Sequence, residues 1–211
     1  MSIYLQLHPV SPQLRFVRQA AALLRSGGVL VYPTDSCYAL GCQIGDKAAL
    51  ERIREIRQTD RNHHFTLVCR DLAEVGRYAI VDNWQYRLLR THTPGPYTFL
   101  LKASKETPRR LKHERNGTIG LRVPDHPVTA MLLTELGEPV MSSTLLLPGE
   151  ELPRTDAKEI QEILEHSVDM VLDGGNCGLI PTSVIDLSTD RAIVVRIGRG
   201  DVTPFAVPAN V

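Results

Sequence analysis

The chain has 211 residues, 43% of them hydrophobic, and its 24 Lys and Arg residues balance 24 Asp and Glu residues. This length can bury one sizeable core, so we expect a single domain over residues 1–211. The zero formal charge gives no bulk electrostatic argument for nucleic-acid or membrane binding. The sequence contains no long apolar run and no signal-peptide pattern, which predicts no membrane association and a cytoplasmic location.

The four cysteines form no CxxC pair and no spacing typical of zinc ligands, and they are Cys37, Cys42, Cys69 and Cys177. This pattern predicts free thiols in a reducing compartment and no metal site.

The first half of the chain alternates helical and strand patterns. Apolar residues at helical spacing predict a helix over residues 12–26, and two glycines end it. A strand follows over residues 29–33, and a second strand starts at Tyr38 after a short polar turn. The helical spacing returns over residues 47–57.

The rest of the chain mixes strands and helices without strict alternation. Short β-type runs predict strands over residues 65–69, 98–102, 118–123, 140–143, 170–172, 183–187 and 192–196. Helices are predicted over residues 82–91, 127–136 and 157–167. This order favours an α/β fold with a sheet of mixed direction over a regular doubly wound fold.

The polar turn Thr34, Asp35 and Ser36 lies between two strands that have a buried pattern. It has two interpretations: a tight turn whose side chains bond to local backbone, or the rim of a ligand pocket at the edge of the sheet. Similar hydroxyl-rich stretches occur near strand ends at residues 141–144 and 181–183. Such positions suit recognition of a polar small molecule or phosphate.

Positive charge is concentrated in residues 87–122, which contain nine Lys or Arg residues and two Glu residues. One interpretation is an ordinary solvated loop, and the other is a phosphate-facing surface. In the second interpretation the RNA-binding residues are Arg109, Arg110, Lys112 and Arg115.

Several blocks of sequence carry a resemblance to a known family. They are GGVLVYPTDSCYALGC (27–42), PGPYTFLLK (94–102), TIGLRVPDHP (118–127), MSST (141–144), GGNCGLIPTSVIDL (174–187) and VVRIGRG (194–200). In this order they resemble the YrdC-like family of threonylcarbamoyl-adenylate synthases. The segments IRQTDRNHHFTLVCRDL and LLLPG are most similar to the YciO branch of that family.

The resemblance implies a twisted mixed sheet with flanking helices around a concave basic cavity. It implies binding of ATP, with Mg²⁺, together with threonine and bicarbonate, and release of threonylcarbamoyl-adenylate for tRNA modification; double-stranded RNA or tRNA is the implied partner. The positions that match the threonine side are Thr34, Arg122, Thr182 and Ser183. The positions that match the nucleotide side are Arg57, Thr118, Thr144 and Arg196. We expect the cavity to be ringed by Arg57, Arg70, Arg110, Arg122 and Arg196.

Two family features are altered in this chain. The family's Lys-x-Arg pair is replaced by Arg57 and Thr59, and its Ser-x-Asn pair by Thr144 and Leu146. Loss of a donor aimed at developing charge slows an enzyme by roughly a few hundredfold, so we expect weak synthase activity. Two alternatives stay open. One is a fully competent synthase in which Arg61, His63 or His64 replaces the missing pair, and the other is a hydrolase or carbamoyl-handling enzyme that uses Cys37.

Overall fold

The computed structural model describes residues 1–59, 65–113 and 116–205, with only the backbone of Arg110. Within these ranges the chain forms ten strands: β1 (Ile3–Gln6), β2 (Leu30–Tyr32), β3 (Ala39–Gln43), β4 (Thr66–Val68), β5 (Tyr97–Lys102), β6 (Thr118–Arg122), β7 (Val140–Thr144), β8 (Met170–Asp173), β9 (Ser183–Asp186) and β10 (Ile193–Arg196). The α-helices of the described ranges are α1 (Leu14–Arg25), α2 (Lys47–Arg57), α3 (Leu72–Tyr78), α4 (Asn83–His92), α5 (Pro127–Leu136) and α6 (Ala157–Leu164). Short 3₁₀ turns cover Arg109–Leu111 and Thr203–Phe205.

All ten strands join one sheet in the order β1-β8-β2-β3-β7-β4-β6-β5-β9-β10. Four neighbouring pairs are parallel, namely β1 with β8, β8 with β2, β4 with β6 and β5 with β9. The other five pairs are antiparallel. The predicted sheet of mixed direction is therefore confirmed.

One face of the sheet is covered in part by α1 and α5, which pack against each other. Helix α1 presents its buried residues Val17, Ala20, Ala21 and Leu24 at helical spacing, and they join one apolar cluster with residues of β2, β8 and α5. Burying this stripe holds both helices on the sheet.

The opposite face carries the larger apolar cluster, which takes residues from α2, α3, α4 and α6. Strand β2 shows how the two faces separate, since Val31 belongs to the larger cluster and Leu30 and Tyr32 to the smaller one. This alternation is the two-residue period of a strand that is buried on both faces.

Most predicted elements match the structure closely. The helices predicted over residues 47–57 and 127–136 have the observed bounds, whereas the helix predicted to reach residue 167 ends at Leu164. The strand predicted to begin at Tyr38 begins at Ala39. Strand β1 and helix α3 were not predicted. Helix α3 is only seven residues long and contains Gly76, so it lacks a clear helical repeat.

Candidate functional site

The sheet face that carries α1 and α5 also holds a cavity of about 320 Å³, and Ala39 and Val68 belong both to its lining and to the apolar cluster under these helices. One row of paired positions runs across its floor through Ser142, Thr66, Gly120 and Leu100 on β7, β4, β6 and β5, and Gly41 on β3 continues this row outside the cavity lining. Three of the four lining residues are small or polar. The short side chains leave the hollow open where larger residues would fill it.

The polar turn is held together at its centre by Thr34. Its Oγ1 donates to the carbonyl of Cys37 (2.6 Å) and accepts from the backbone N–H groups of Ser36 (3.2 Å) and Cys37 (3.3 Å). Arg122 at the end of β6 then fixes the turn to the cavity wall. Its Nη2 donates to Thr34 Oγ1 (3.2 Å) and Ser36 Oγ (2.9 Å) and forms an ion pair with Asp35. The turn is therefore both a local hydrogen-bonded structure and the support of a cavity-lining arginine.

The hydrogen bonds of Arg122 are concentrated on one nitrogen of its guanidinium group. All of its hydrogen bonds to the turn come from Nη2, and its Nε is buried without a partner in the described part of the chain. The Nη1 group makes none of these hydrogen bonds, so its N–H groups can donate to an anion that enters the cavity.

A second arginine reaches the cavity from the end of α2. Arg57 Nη1 donates to Ser143 Oγ (2.5 Å), and its Nε lies 3.5 Å from the carbonyl of Leu146. Burial, and then the nearby charge of Arg196, lowers the pKa of Arg57. The side chain is thus held in place on a partly desolvated wall.

A third arginine, Arg196 on β10, is fixed on Thr182. Its Nε and Nη2 donate to the Thr182 carbonyl (3.1 and 2.8 Å), and Nη2 also lies 3.1 Å from Thr182 Oγ1. Thr182 Oγ1 in turn lies 2.9 Å from Thr98 Oγ1 on β5. Burial lowers the pKa of Arg196, and Arg122 lowers it further.

The walls of the cavity are basic. Arg57, Arg122 and Arg196 all line it, and no Asp or Glu occurs among its described lining residues. Asp35, just behind the wall, neutralises one of the three charges. The arrangement attracts ligands that carry carboxylate or phosphate groups.

The predicted site residues fall into two groups. The structure brings Arg57, Arg122, Thr144, Thr182 and Arg196 together on the cavity wall, with Thr34 directly behind Arg122.

Two other predicted site residues lie outside the cavity lining. Ser183 Oγ donates to the Gly200 carbonyl (2.6 Å) and accepts from the Gly198 N–H (2.9 Å), so it stabilises the β9 and β10 region instead. Thr118, at the far end of β6, bonds to Asn116 (2.9 Å).

Among the residues predicted to bind RNA, Arg109 and Lys112 do not line the cavity. Arg109 is exposed, whereas Lys112 Nζ donates to the Ser104 carbonyl (2.7 Å). The Arg110 side chain and Arg115 lie outside the described residues. Arg70 was expected at the cavity but forms an ion pair with Asp71 at 3.0 Å and is not a lining residue.

Thr59 and Leu146, which replace the arginine and the asparagine of the two family pairs, are both in the described part of the chain. Leu146 lines the cavity, so an apolar side chain stands where the family has an amide. Thr59 follows α2, and its buried Oγ1 has no hydrogen-bond partner among the described residues. Arg61, His63 and His64, proposed as replacements, lie outside the described residues.

Cys37 lies in the cavity lining and is 2% exposed. Burial raises the pKa of its thiol, and the opposing effects of Arg122 and Ser36 are smaller. A buried thiol that stays protonated is a poor nucleophile, so the geometry gives little support to a Cys37-based enzyme.

Sequence reasoning missed several lining residues, above all Thr66, Thr98 and Gly120. A signal was available in the segment TIGLR (118–122), where small or polar residues alternate with large apolar ones, whereas TLV and TFLL show no such alternation. In a strand this alternation separates a polar face from a packed face.

The described residues contain no group of three or more His, Cys, Asp or Glu side chains that could hold a metal ion. Within those same residues, no helix combines the length and apolar character needed to cross a membrane.

Within the described ranges, the protein is thus an α/β protein with one mixed ten-stranded sheet, and a cavity lined by three arginines lies on one face of this sheet. A family model named for Sua5, YciO and YrdC, and described as Telomere recombination, matches residues 22–198. The chain therefore belongs to the Sua5/YciO/YrdC family.

Two curated relatives show the position of the chain within this family. It is 53% identical to YciO of Escherichia coli (strain K12) over 205 residues, which are 97% of this chain and 100% of the relative. It is 33% identical to a threonylcarbamoyl-AMP synthase of Nitrosococcus oceani over 159 residues, which are 75% of this chain and 85% of the relative. The chain is thus a YciO-type member related to threonylcarbamoyl-AMP synthases.

Solved structures give the same result for the fold. The crystal structure of E. coli YciO matches with a TM-score of 0.94 over 98% of this chain and all of the other. The structure of P. abyssi Sua5 complexed with L-threonine matches with a TM-score of 0.85 at 23% identity, over 93% of this chain and 58% of the other. The predicted YrdC-like fold is confirmed.

Proposed function

We propose that this chain is a nucleotide- and double-stranded-RNA-binding protein of the YciO type, with at best weak L-threonylcarbamoyladenylate synthase activity. The observation that carries the proposal is that Arg57, Arg122 and Arg196 all line one cavity. Its described lining residues include no carboxylate. In this proposal the ligands are ATP or AMP and an amino acid, and the protein works in the cytoplasm.

The amino-acid half of the proposal rests on Arg122. Its guanidinium group lines the cavity and suits a carboxylate, and the hydroxyl groups of Thr182 and Thr98 lie in the same cavity lining. The nucleotide half rests on Arg57 and Arg196, which suit phosphate oxygens.

Weak catalysis is the expectation because Leu146 offers no side-chain donor to the phosphates, while the donors that remain still favour binding. The lining also offers no carboxylate to hold Mg²⁺, so the described residues do not fit a metal held by the protein.

The test for catalysis is pyrophosphate release from ATP, measured with and without threonine and bicarbonate. The proposal predicts a threonine- and bicarbonate-dependent rate that is at least a hundredfold below that of a threonylcarbamoyl-AMP synthase assayed beside it. An equal rate would show a fully competent synthase and contradict the proposal.

Binding of double-stranded RNA or tRNA is proposed from the exposed basic residues Arg87, Arg90, Lys102, Lys105 and Arg109. None of them has an ion pair in the described parts of the chain. Unpaired exposed cations suit recognition of a phosphate backbone, and the aromatic content of 5% argues against base stacking.

A gel-shift titration with a duplex of about 20 base pairs, longer than one double-stranded-RNA-binding domain spans, tests this part. We expect retention that falls steeply as salt rises, and weaker retention by the variant Arg87→Glu/Arg90→Glu. No retention at low salt would contradict RNA binding and leave the cavity proposal unaffected.

A further inference from the structure

Three polar groups form a chain of hydrogen bonds along the cavity wall. Arg196 Nη2 lies 3.1 Å from Thr182 Oγ1, and Thr182 Oγ1 lies 2.9 Å from Thr98 Oγ1. All three residues line the cavity, and the two threonines are only 5% and 8% exposed. Arg196 and Thr182 match binding positions of the family, whereas Thr98 has no assigned role.

The hydrogen bonds between Arg196, Thr182 and Thr98 leave one hydroxyl hydrogen without an acceptor in the described part of the protein. The two hydroxyl groups carry two hydrogens, and their mutual hydrogen bond uses one of them. Arg196 contributes a further hydrogen to Thr182 and accepts none. Whichever threonine donates to the other, one O–H group is left without an acceptor in the described part of the protein.

Arg196 determines which of the two threonine hydroxyl groups donates to the other. Because Arg196 donates to Thr182, it occupies a lone pair of that hydroxyl and favours donation from Thr182 to Thr98. The free hydrogen is then on Thr98. A nearly buried O–H group in a basic cavity is complementary to an anionic oxygen, which also accepts from the guanidinium groups.

We propose that Thr98 is a ligand-positioning residue whose hydroxyl group, oriented through Thr182 by Arg196, donates to an anionic oxygen of the bound ligand. The proposal rests on the proposed function, since it requires the cavity to bind a carboxylate or a phosphate. Both groups offer the same acceptor, and the two probes below distinguish them.

The experiment is calorimetric titration of L-threonine and, separately, AMP into the wild type, Thr98→Val and Thr98→Ser. Valine keeps the shape and removes the hydroxyl group, whereas serine keeps the hydroxyl group and removes the methyl group. Thr134→Val, an exposed position on α5, is the matched control. Unfolding of each ligand-free protein is measured in parallel.

We expect Thr98→Val to bind one probe about tenfold more weakly, the range for a lost hydrogen bond to a charged group. The weakened probe shows whether the oxygen belongs to a carboxylate or a phosphate. Thr98→Ser and the control retain wild-type affinity, and the ligand-free unfolding midpoint of Thr98→Val stays close to that of the wild type.

Equal affinities of Thr98→Val and the wild type for both probes would overturn the inference while leaving the proposed function intact. Equal weakening in Thr98→Ser would also overturn it, because the methyl group would then be responsible. A Thr98→Val protein that unfolds without ligand would show a structural role and overturn it too. A wild type that binds neither probe would overturn the proposed function and this inference together.

Discussion

Arg122 and Asp35 are separated by 87 positions in the sequence and form an ion pair in which the two side chains are 8% and 11% exposed. The same arginine lines the cavity, so the pair couples the polar turn to the ligand site. A buried pair of this kind loses much more when one partner is removed than when both are replaced.

Arg122→Ala should therefore have two effects. Threonine affinity should fall at least tenfold because the carboxylate loses its charged partner, and the free energy of unfolding should fall by about 3–5 kcal/mol because Asp35 stays buried without a counter-ion. Calorimetry measures the first effect, and denaturant unfolding measures the second.

The double variant Asp35→Asn/Arg122→Gln is the matched control for these two effects. It should regain much of the lost stability while threonine binding stays impaired. Unchanged threonine affinity in Arg122→Ala would show that Arg122 is not the carboxylate partner.

Gly41 and Gly120 lie in one row of the sheet but should respond differently to substitution. A Cβ at Gly41 would lie 2.7 Å from Val140 Cγ1 and 2.8 Å from Tyr32 Cε1, so Gly41→Ala should cost about 1–3 kcal/mol of stability. At Gly120 the atom nearest to an added Cβ is Thr66 Oγ1 at 3.3 Å, so alanine requires only a small shift.

Gly120→Leu should fill the cavity and abolish ligand binding while the protein remains folded, as judged by circular dichroism. Full nucleotide and threonine affinity in Gly120→Leu would mean that ligands bind elsewhere.

His126, at the start of α5, should make stability depend on pH. Burial lowers its pKa below the usual 6.5, and the opposing effects of Asp35 and Asp125 are smaller. As pH falls below 6.5 the unfolded chain gains this proton before the folded chain does, so the free energy of unfolding decreases until the folded-state pKa is passed. Above pH 6.5 the residue contributes no pH dependence.

The expected result is a smaller loss of thermal stability between pH 7 and pH 5 in His126→Gln than in the wild type. Unfolding midpoints measured across this range test it, and superimposable pH profiles of the two proteins would be inconsistent with a buried neutral imidazole.

Restoring the two altered family positions tests why catalysis is weak. Thr59→Arg/Leu146→Asn returns a cation and an amide to the triphosphate side, so pyrophosphate release should rise by a factor on the order of a hundred. Thr59→Ala/Leu146→Ala is the control and should give no gain. No increase in the restored variant would mean that its active site differs from that of the synthases at other positions.

Much of the site was visible in the sequence because hydroxyl-rich segments stand out between apolar strands. The turn at Thr34, and Arg122 and Arg196, could be predicted from local motifs and from the family resemblance. The placement of Ser183 could not, because adjacent residues of a strand point to opposite faces and only the strand register decides which one faces the cavity.

Thr98 and Gly120 were missed for the same physical reason. Strand β6 shows an alternation of its own, but contacts between β4, β5 and β6 depend on pairing between distant segments. The single sequence also could not show that Arg70 would pair with the neighbouring Asp71 instead of reaching the cavity.

The most direct test of the account is calorimetric titration of ATP into the wild type and into Arg57→Gln/Arg196→Gln, at low and at high salt. Binding to the wild type should weaken as salt rises, and the double variant should bind at least tenfold more weakly because two phosphate-facing charges are gone. Absence of ATP binding by the wild type, or equal affinity in the double variant, would contradict the assignment of this cavity to phosphate-bearing ligands.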